Sequence, residues 1–157
     1  MKDKWFIFDL DGTIADIDDR RKLCTKENGK MDWDKFFDPV NINLDLPNIR
    51  VITIMRAFVS SGFKIAIFSG RSKRTKDSTV DWLKKYDVPY DVLKMRPTSQ
   101  KWNFMPDDEL KRIWLEDLFP GDTKYLNLIA VFDDRDKVVK MWRDNGIRCC
   151  QVAEGDF

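Results

Sequence analysis

The 157-residue chain contains no histidine. That excludes serine and cysteine triads built on histidine, histidine-phosphatase chemistry and most zinc sites. Acid–base work must fall to carboxylates, Lys, Tyr or Cys. Cysteine is scarce: Cys24, Cys149 and Cys150 are an odd number with two adjacent, which is neither a disulfide framework nor metal-ligand spacing. A reducing compartment is expected. No apolar run approaches the roughly 20 residues needed to span a bilayer. The opening run, Trp5 to Phe8, is too short for a signal peptide. A soluble, cytoplasmic protein without membrane partners is expected. A dominant charge sign is missing too: 28 basic against 27 acidic residues give a net charge of +1. This argues against a wholly basic nucleic-acid-gripping surface, but not against a local basic patch.

What is present is 43% apolar and 13% aromatic, enough for one globular domain. Trp5 to Phe8, Phe63 to Phe68 and Leu128 to Phe132 are short and continuously apolar, as strands buried on both faces are. Tyr90 to Met95 alternates more and predicts a strand nearer an edge, and Cys149 to Val152 a fifth strand, which would turn its two cysteines to opposite faces. Helical spacing lies between them. Leu46 to Ser61 places Ile49, Ile52, Met55, Phe58 and Val59 on one stripe; Ser72 to Tyr86, Asp107 to Phe119 and Asp136 to Asp144 follow. The alternation predicts an α/β fold, a parallel sheet with helices on both faces. Residues 1–157 are expected to form a single domain, with a small polar insert at about 14–45 carrying Trp33, Phe36 and Phe37. That aromatic trio is expected to be a minicore rather than a base-stacking platform.

The chemistry sits after each buried strand. Asp9-Leu10-Asp11-Gly12-Thr13 follows the first, Ser69-Gly70-Arg71 the second and Asp133-Asp134-Arg135 the third. Parallel strands end along one edge, where ligands bind, so four carboxylates, a hydroxyl and an arginine should converge. Crowded carboxylates stay ionised together only beside a cation, and an all-oxygen set that also takes a phosphate suits Mg²⁺. Taken singly, a DxDG string is often a turn, SGR a strand-end turn and a pair of acids a solvated loop. Together, in order, each after its own strand, they point to phosphoryl chemistry with a carboxylate nucleophile.

These motifs resemble the haloacid dehalogenase (HAD) superfamily of phosphatases. The stretch Asp9 to Thr13 matches its first motif, Ser69 its second and Asp133-Asp134 its fourth. The third is a lysine, for which Lys111 is the candidate and Lys101 the rival. The C-terminal stretch Asp133-Asp134-Arg135, then Val138-Val139, Met141-Trp142-Arg143, Gly146, Gln151-Val152-Ala153 and Gly155-Asp156-Phe157, is similar to the C-terminus of phage-type polynucleotide kinase/3′-phosphatase. The resemblance implies a HAD-like, Rossmann-like sheet with no large cap domain and Asp9 on its middle strand. It implies Asp9 as nucleophile and metal ligand, Asp11 as acid and base with its carbonyl on the metal, Ser69 and Lys111 on the phosphoryl group, and Asp133 and Asp134 on Mg²⁺. Arg20 and Arg71, with Gly70, Thr13 and Arg96, would bind substrate. The kinase signature GxxxxGK[ST] does not occur, so the phosphatase part alone is expected.

The expected substrate is a 3′-phosphate on a DNA or RNA end, with a separate kinase and ligase as possible partners. Basic residues within Arg71 to Lys76 and Arg20 to Lys22 are candidate backbone contacts. A phosphatase of small substrates such as nucleotides would share every catalytic residue. A non-catalytic module binding phosphorylated ends is the alternative of another class.

Overall fold

The computed structural model describes residues 3–156; Phe157, the last residue of the C-terminal motif, lies outside them. Five parallel strands form one sheet: β1 (Trp5–Asp9), β4 (Lys64–Ser72), β5 (Val92–Arg96), β6 (Leu128–Asp133) and β7 (Cys149–Gln151), in the order β5-β4-β1-β6-β7. Every predicted strand is present, and β1 lies in the middle. Its alternation explains its continuous apolarity. Phe6 and Phe8 enter one core with Ile52, Met55, Trp82 and Leu83, while Ile7 enters a second with Leu110, Trp114, Val138 and Trp142. The first core lies under α4 (Ile49–Ser60) and α5 (Lys76–Lys85), the second under α7 (Asp107–Leu118) and α9 (Asp136–Asp144). Among the described residues there is no large cap, and no helix is long and apolar enough to cross a membrane.

The stretch after β1 carries three short helices, α1 (Asp18–Cys24), α2 (Trp33–Phe36) and α3 (Pro39–Ile42). A two-residue antiparallel ribbon joins its ends, β2 (Ala15–Asp16) against β3 (Leu46–Pro47). Phe36 is buried, Phe37 packs on the first core, and Trp33 stacks on Phe37 with ring centroids 5.9 Å apart. The aromatic trio is thus a minicore, with Trp33 its exposed edge. Two short helices, α6 (Gln100–Asn103) and α8 (Thr123–Asn127), lie in connections.

One stripe differs from expectation. Ile49 is 57% exposed and Val59 is exposed, whereas Val51 joins Ile52 and Met55 inside. Asn48 caps the helix by accepting from the Val51 N–H, so Ile49 is its first residue and lies beyond the packed turn. On β7, Cys149 is half-buried and Cys150 exposed, as alternation requires. Burial, with Asp133 nearby, pushes the Cys149 thiol up to about 12, and burial raises that of Cys24. An alkylating reagent at neutral pH is therefore expected to label Cys150 first and leave Cys24 and Cys149 unmodified until the protein unfolds; peptide mass spectrometry checks this.

Candidate active site

Asp9 is the last residue of β1 and Asp133 the last of β6, its neighbour, so the register of the sheet sets their carboxylates side by side. Asp134 follows. All three are buried, each offering an oxygen within 4.8 Å of the others. Lys111, one turn into α7, reaches in and donates to Asp9 Oδ1 at 2.6 Å and to Asp133 Oδ2 at 2.8 Å. Asp133 Oδ1 also accepts from the Asp134 N–H at 3.0 Å, which fixes its orientation. Burial disfavours the charge on Lys111, but Asp133 and Asp9 outweigh it and raise its pKa. For Asp9 burial is the larger influence, and together with Asp133 and Asp134 it outweighs Lys111, so the pKa stands well above the ordinary value. Burial and Asp133 push Asp134 up to about 6. Lys111 bonds two of the three carboxylates, Asp9 and Asp133, and although the charges of Lys111 and Arg21 favour the ionised form of Asp134, burial and Asp133 outweigh them, so the triad is short of positive charge. That oxygen-only donor set fits a hard divalent cation.

Asp11 lies two residues beyond Asp9 and is bound quite differently. Arg20 Nη2 donates to its Oδ1 at 2.5 Å, Arg71 Nη2 to the same oxygen at 2.5 Å, and Arg71 Nε to both oxygens at 3.0 Å. Burial opposes its charge, but Arg71 and Arg20 prevail and hold the carboxyl well below the usual range. Both arginines also grip Asp45, Arg20 through Nε at 2.9 Å and Arg71 through Nη2 at 3.0 Å. Arg20 further donates to the Phe36 carbonyl and lies over the Phe36 ring, 4.2 Å from its centroid. Two carboxylates and two guanidiniums form a closed ring, with both arginine side chains wholly buried.

Known proteins show the family. The family described as the polynucleotide kinase PNKP phosphatase domain matches residues 3–157. The chain belongs to this HAD-like family. The domain is 35% identical over 139 residues to an Autographa californica nuclear polyhedrosis virus protein whose name combines polynucleotide kinase and RNA ligase, covering 87% of this chain and 17% of that one. Two solved structures of a Pnkp1/Rnl/Hen1 complex contain similar chains: TM-scores are 0.76 and 0.75, identities 29% and 30%, with 98% and 99% of this chain covered. This chain spans 47% and 44% of those chains, so it matches less than half of each relative. A protein from Clostridium acetobutylicum shares the fold, with a TM-score of 0.70 at 12% identity over 96% of this chain and 85% of that one.

Within the PNKP phosphatase domain the expected site residues separate into groups. Asp9, Asp133, Asp134 and Lys111 come together. Lys101 does not join them: it is exposed on α6, with Nζ 5.3 Å from the Trp102 ring centroid. Ser69 is buried in β4, just before the pairing irregularity that precedes Ser72, its Oγ accepting from the Arg71 N–H at 3.2 Å. Thr13 is buried, with its hydroxyl 3.5 Å from Asp134 Oδ1. Gly12 has φ +86°, and a Cβ there would stand 2.1 Å from Asp134 Oδ2, so only glycine lets the first and fourth motifs meet. At Gly70 a Cβ would come within 2.8 Å of Asp107 Oδ1. Arg96 donates to the Gly70, Trp102 and Met105 carbonyls and to Asp107. Of the two basic runs, Arg20 and Arg71 turn inward, while Lys22, Lys73, Arg74 and Lys76 are exposed.

Asp45 escaped sequence reasoning. It lies between Leu44 and Leu46, and hydropathy would bury the leucines and expose the acid. The reverse is found. Its signal was weak: one acid closing the insert that carries Arg20. Removing one member of a buried ion ring leaves an uncompensated charge, so Asp45→Ala is expected to destabilise the domain by about 3–5 kcal/mol. Urea unfolding measures this, and Asp45→Asn, which keeps polar contacts, should cost less.

Proposed function

We propose that the domain removes 3′-phosphates from DNA or RNA ends by a Mg²⁺-dependent, two-step displacement through Asp9. The observation that carries this reading is the pairing at one sheet edge of Asp9, in an under-neutralised carboxylate triad, with Asp11, held separately by two arginines. Asp9, Asp133 and Asp134, with the Asp11 carbonyl, would hold the ion. It supplies the charge that lets an anionic phosphoryl group approach an anionic nucleophile.

Asp9 attacks phosphorus and the bond to the leaving oxygen breaks as that oxygen takes a proton from Asp11. Water then attacks the phosphorus, Asp11 takes its proton back, and the bond to Asp9 breaks to release inorganic phosphate. Ser69 and Lys111 hold the phosphoryl oxygens. Arg20 and Arg71 favour the ionised form of Asp11, the form that takes the proton from water in the second step; the proton it gives in the first step comes from solvent. Wholly buried on Asp11 and Asp45, the two arginines serve substrate by orienting Asp11 rather than by gripping a phosphate. Arg96 is engaged by the Gly70, Trp102 and Met105 carbonyls and Asp107, so the exposed cations of the basic runs, Lys22, Lys73, Arg74 and Lys76, are left for the strand's phosphodiesters. The product, a 3′-hydroxyl, is what a ligase consumes. The kinase and ligase named in the relatives support a place beside such enzymes in nucleic-acid end repair.

Phosphate release should require Mg²⁺ and favour a 3′-phosphorylated oligonucleotide over a 5′-phosphorylated one and over a 3′-mononucleotide, with strong salt dependence. Better turnover of the mononucleotide would move the function to nucleotide metabolism. Tight binding of the oligonucleotide without release would indicate an end-binding module. Asp9→Asn and Asp11→Asn should each abolish release while circular dichroism stays native. At about 100 times its Kd, Mg²⁺ should add about 2.7 kcal/mol of stability, roughly 5–10 °C in Tm for a domain of this size. Calorimetry should find the shift lost in Asp134→Asn.

A further inference from the structure

Phe104 is 91% exposed, the most exposed large apolar side chain among the described residues. A solitary surface phenylalanine is ordinary in itself. What distinguishes this one is its support and its position. It lies in the short connection between α6 and α7, and the half-buried Arg96 donates to the carbonyls on both sides of it, Trp102 at 2.6 Å and Met105 at 2.7 Å. The same guanidinium donates to the Gly70 carbonyl at 3.1 Å and to Asp107 Oδ1 at 2.5 Å. The loop is thereby fixed to the backbone beside Ser69. Its position follows: Asp107 packs so close to Gly70 that a Cβ there would lie 2.8 Å away. Phe104 is three residues from Asp107, at most about 11 Å along the chain. Lys111 lies one helical turn beyond Asp107 on the other side.

The charge around Phe104 is mixed: Lys94 pairs with Asp117, Arg96 pairs with Asp107, Lys101 is exposed, and Asp108 and Glu109 follow Asp107. Charge therefore does not select a ligand; an exposed ring on a loop fixed beside the proposed phosphate site matches one that offers a flat apolar face next to a phosphate. A single nucleic-acid strand has that chemistry, and base stacking on aromatics tolerates any sequence. We propose that Phe104 is the stacking platform for a base at or next to the 3′ end, so that the domain recognises a strand rather than an isolated phosphate. This rests on the end-phosphatase reading above and extends it to substrate selection.

Steady-state kinetics of wild type, Phe104→Ala and Phe104→Trp test it on three substrates: a 3′-phosphorylated oligonucleotide, the same strand with its last two residues abasic, and a small aryl phosphate. Phe104→Ala should raise KM for the normal oligonucleotide by about tenfold, and Phe104→Trp should restore it. The abasic strand should cost wild type a similar factor and Phe104→Ala little more, while the aryl phosphate is turned over equally by all three. An unchanged oligonucleotide KM in Phe104→Ala overturns the stacking role and leaves the loop as a surface for something else, such as a neighbouring domain. Equal losses on the aryl phosphate overturn it as well, since the loop would then support the catalytic centre. Wild type that hydrolyses the aryl phosphate but no oligonucleotide would sink the end-phosphatase reading, and the stacking proposal with it.

Discussion

Buried charge at the carboxyl edge of the sheet governs this domain. Two ion clusters lie next to each other, and they are neutralised differently. Asp11 and Asp45 against Arg20 and Arg71 is balanced and closed to the cleft but for the partly exposed Asp11. Asp9, Asp133 and Asp134 against Lys111 lacks positive charge. The balanced cluster is architecture: it holds one carboxylate in place and ionised. The unbalanced one is where the proposed divalent cation would restore neutrality before an anionic phosphoryl group enters. A deficit of charge in a buried site is costly, which is the physical ground for the proposed cation.

The sheet makes that arrangement possible. Adjacent parallel strands β1 and β6 end together, so Asp9 and Asp133 need no loop to bring them near. Apolar packing on both faces holds those strand ends rigid, and α7 lies on the face from which Lys111 can reach between them. Close approach then imposes glycine. Gly12 makes room for Asp134. On the far side, a Cβ at Gly155 would come within 2.3 Å of the Asp134 carbonyl, so the C-terminal segment closes on the same loop. Gln151 Nε2 also donates to that carbonyl at 2.9 Å.

Much of this was legible before any coordinates, for physical reasons. Strands covered on both faces have continuously apolar sequences, so β1, β4 and β6 were plain, and the acids at the ends of β1 and β6 and the Ser69-Gly70-Arg71 of β4 could be placed on one edge. The direction in which a charged side chain turns was not legible. Arg20 and Arg71 belong to basic runs that suggest an outer surface, yet each turns inward to a carboxylate. Asp45 defeats hydropathy because those same arginines, far away in sequence, bond it, although burial and Asp11 still push its carboxyl up to about 7. The choice between Lys111 and Lys101 depends on where a helix packs, and Ile49 on where a helix begins; the pattern constrains neither. The short helices of the insert are held by contacts with Arg20 and the first core more than by their own periodicity.

The central claim is that Asp9 carries the phosphoryl group. An acyl phosphate formed on an aspartate is reduced by borohydride to homoserine, which peptide mass spectrometry locates. Enzyme quenched during turnover of a 3′-phosphorylated oligonucleotide, then treated with borohydride, should carry homoserine at position 9 and nowhere else, and only when Mg²⁺ was present. Turnover with no homoserine at position 9, or with homoserine at position 11 or 133 instead, would contradict the account.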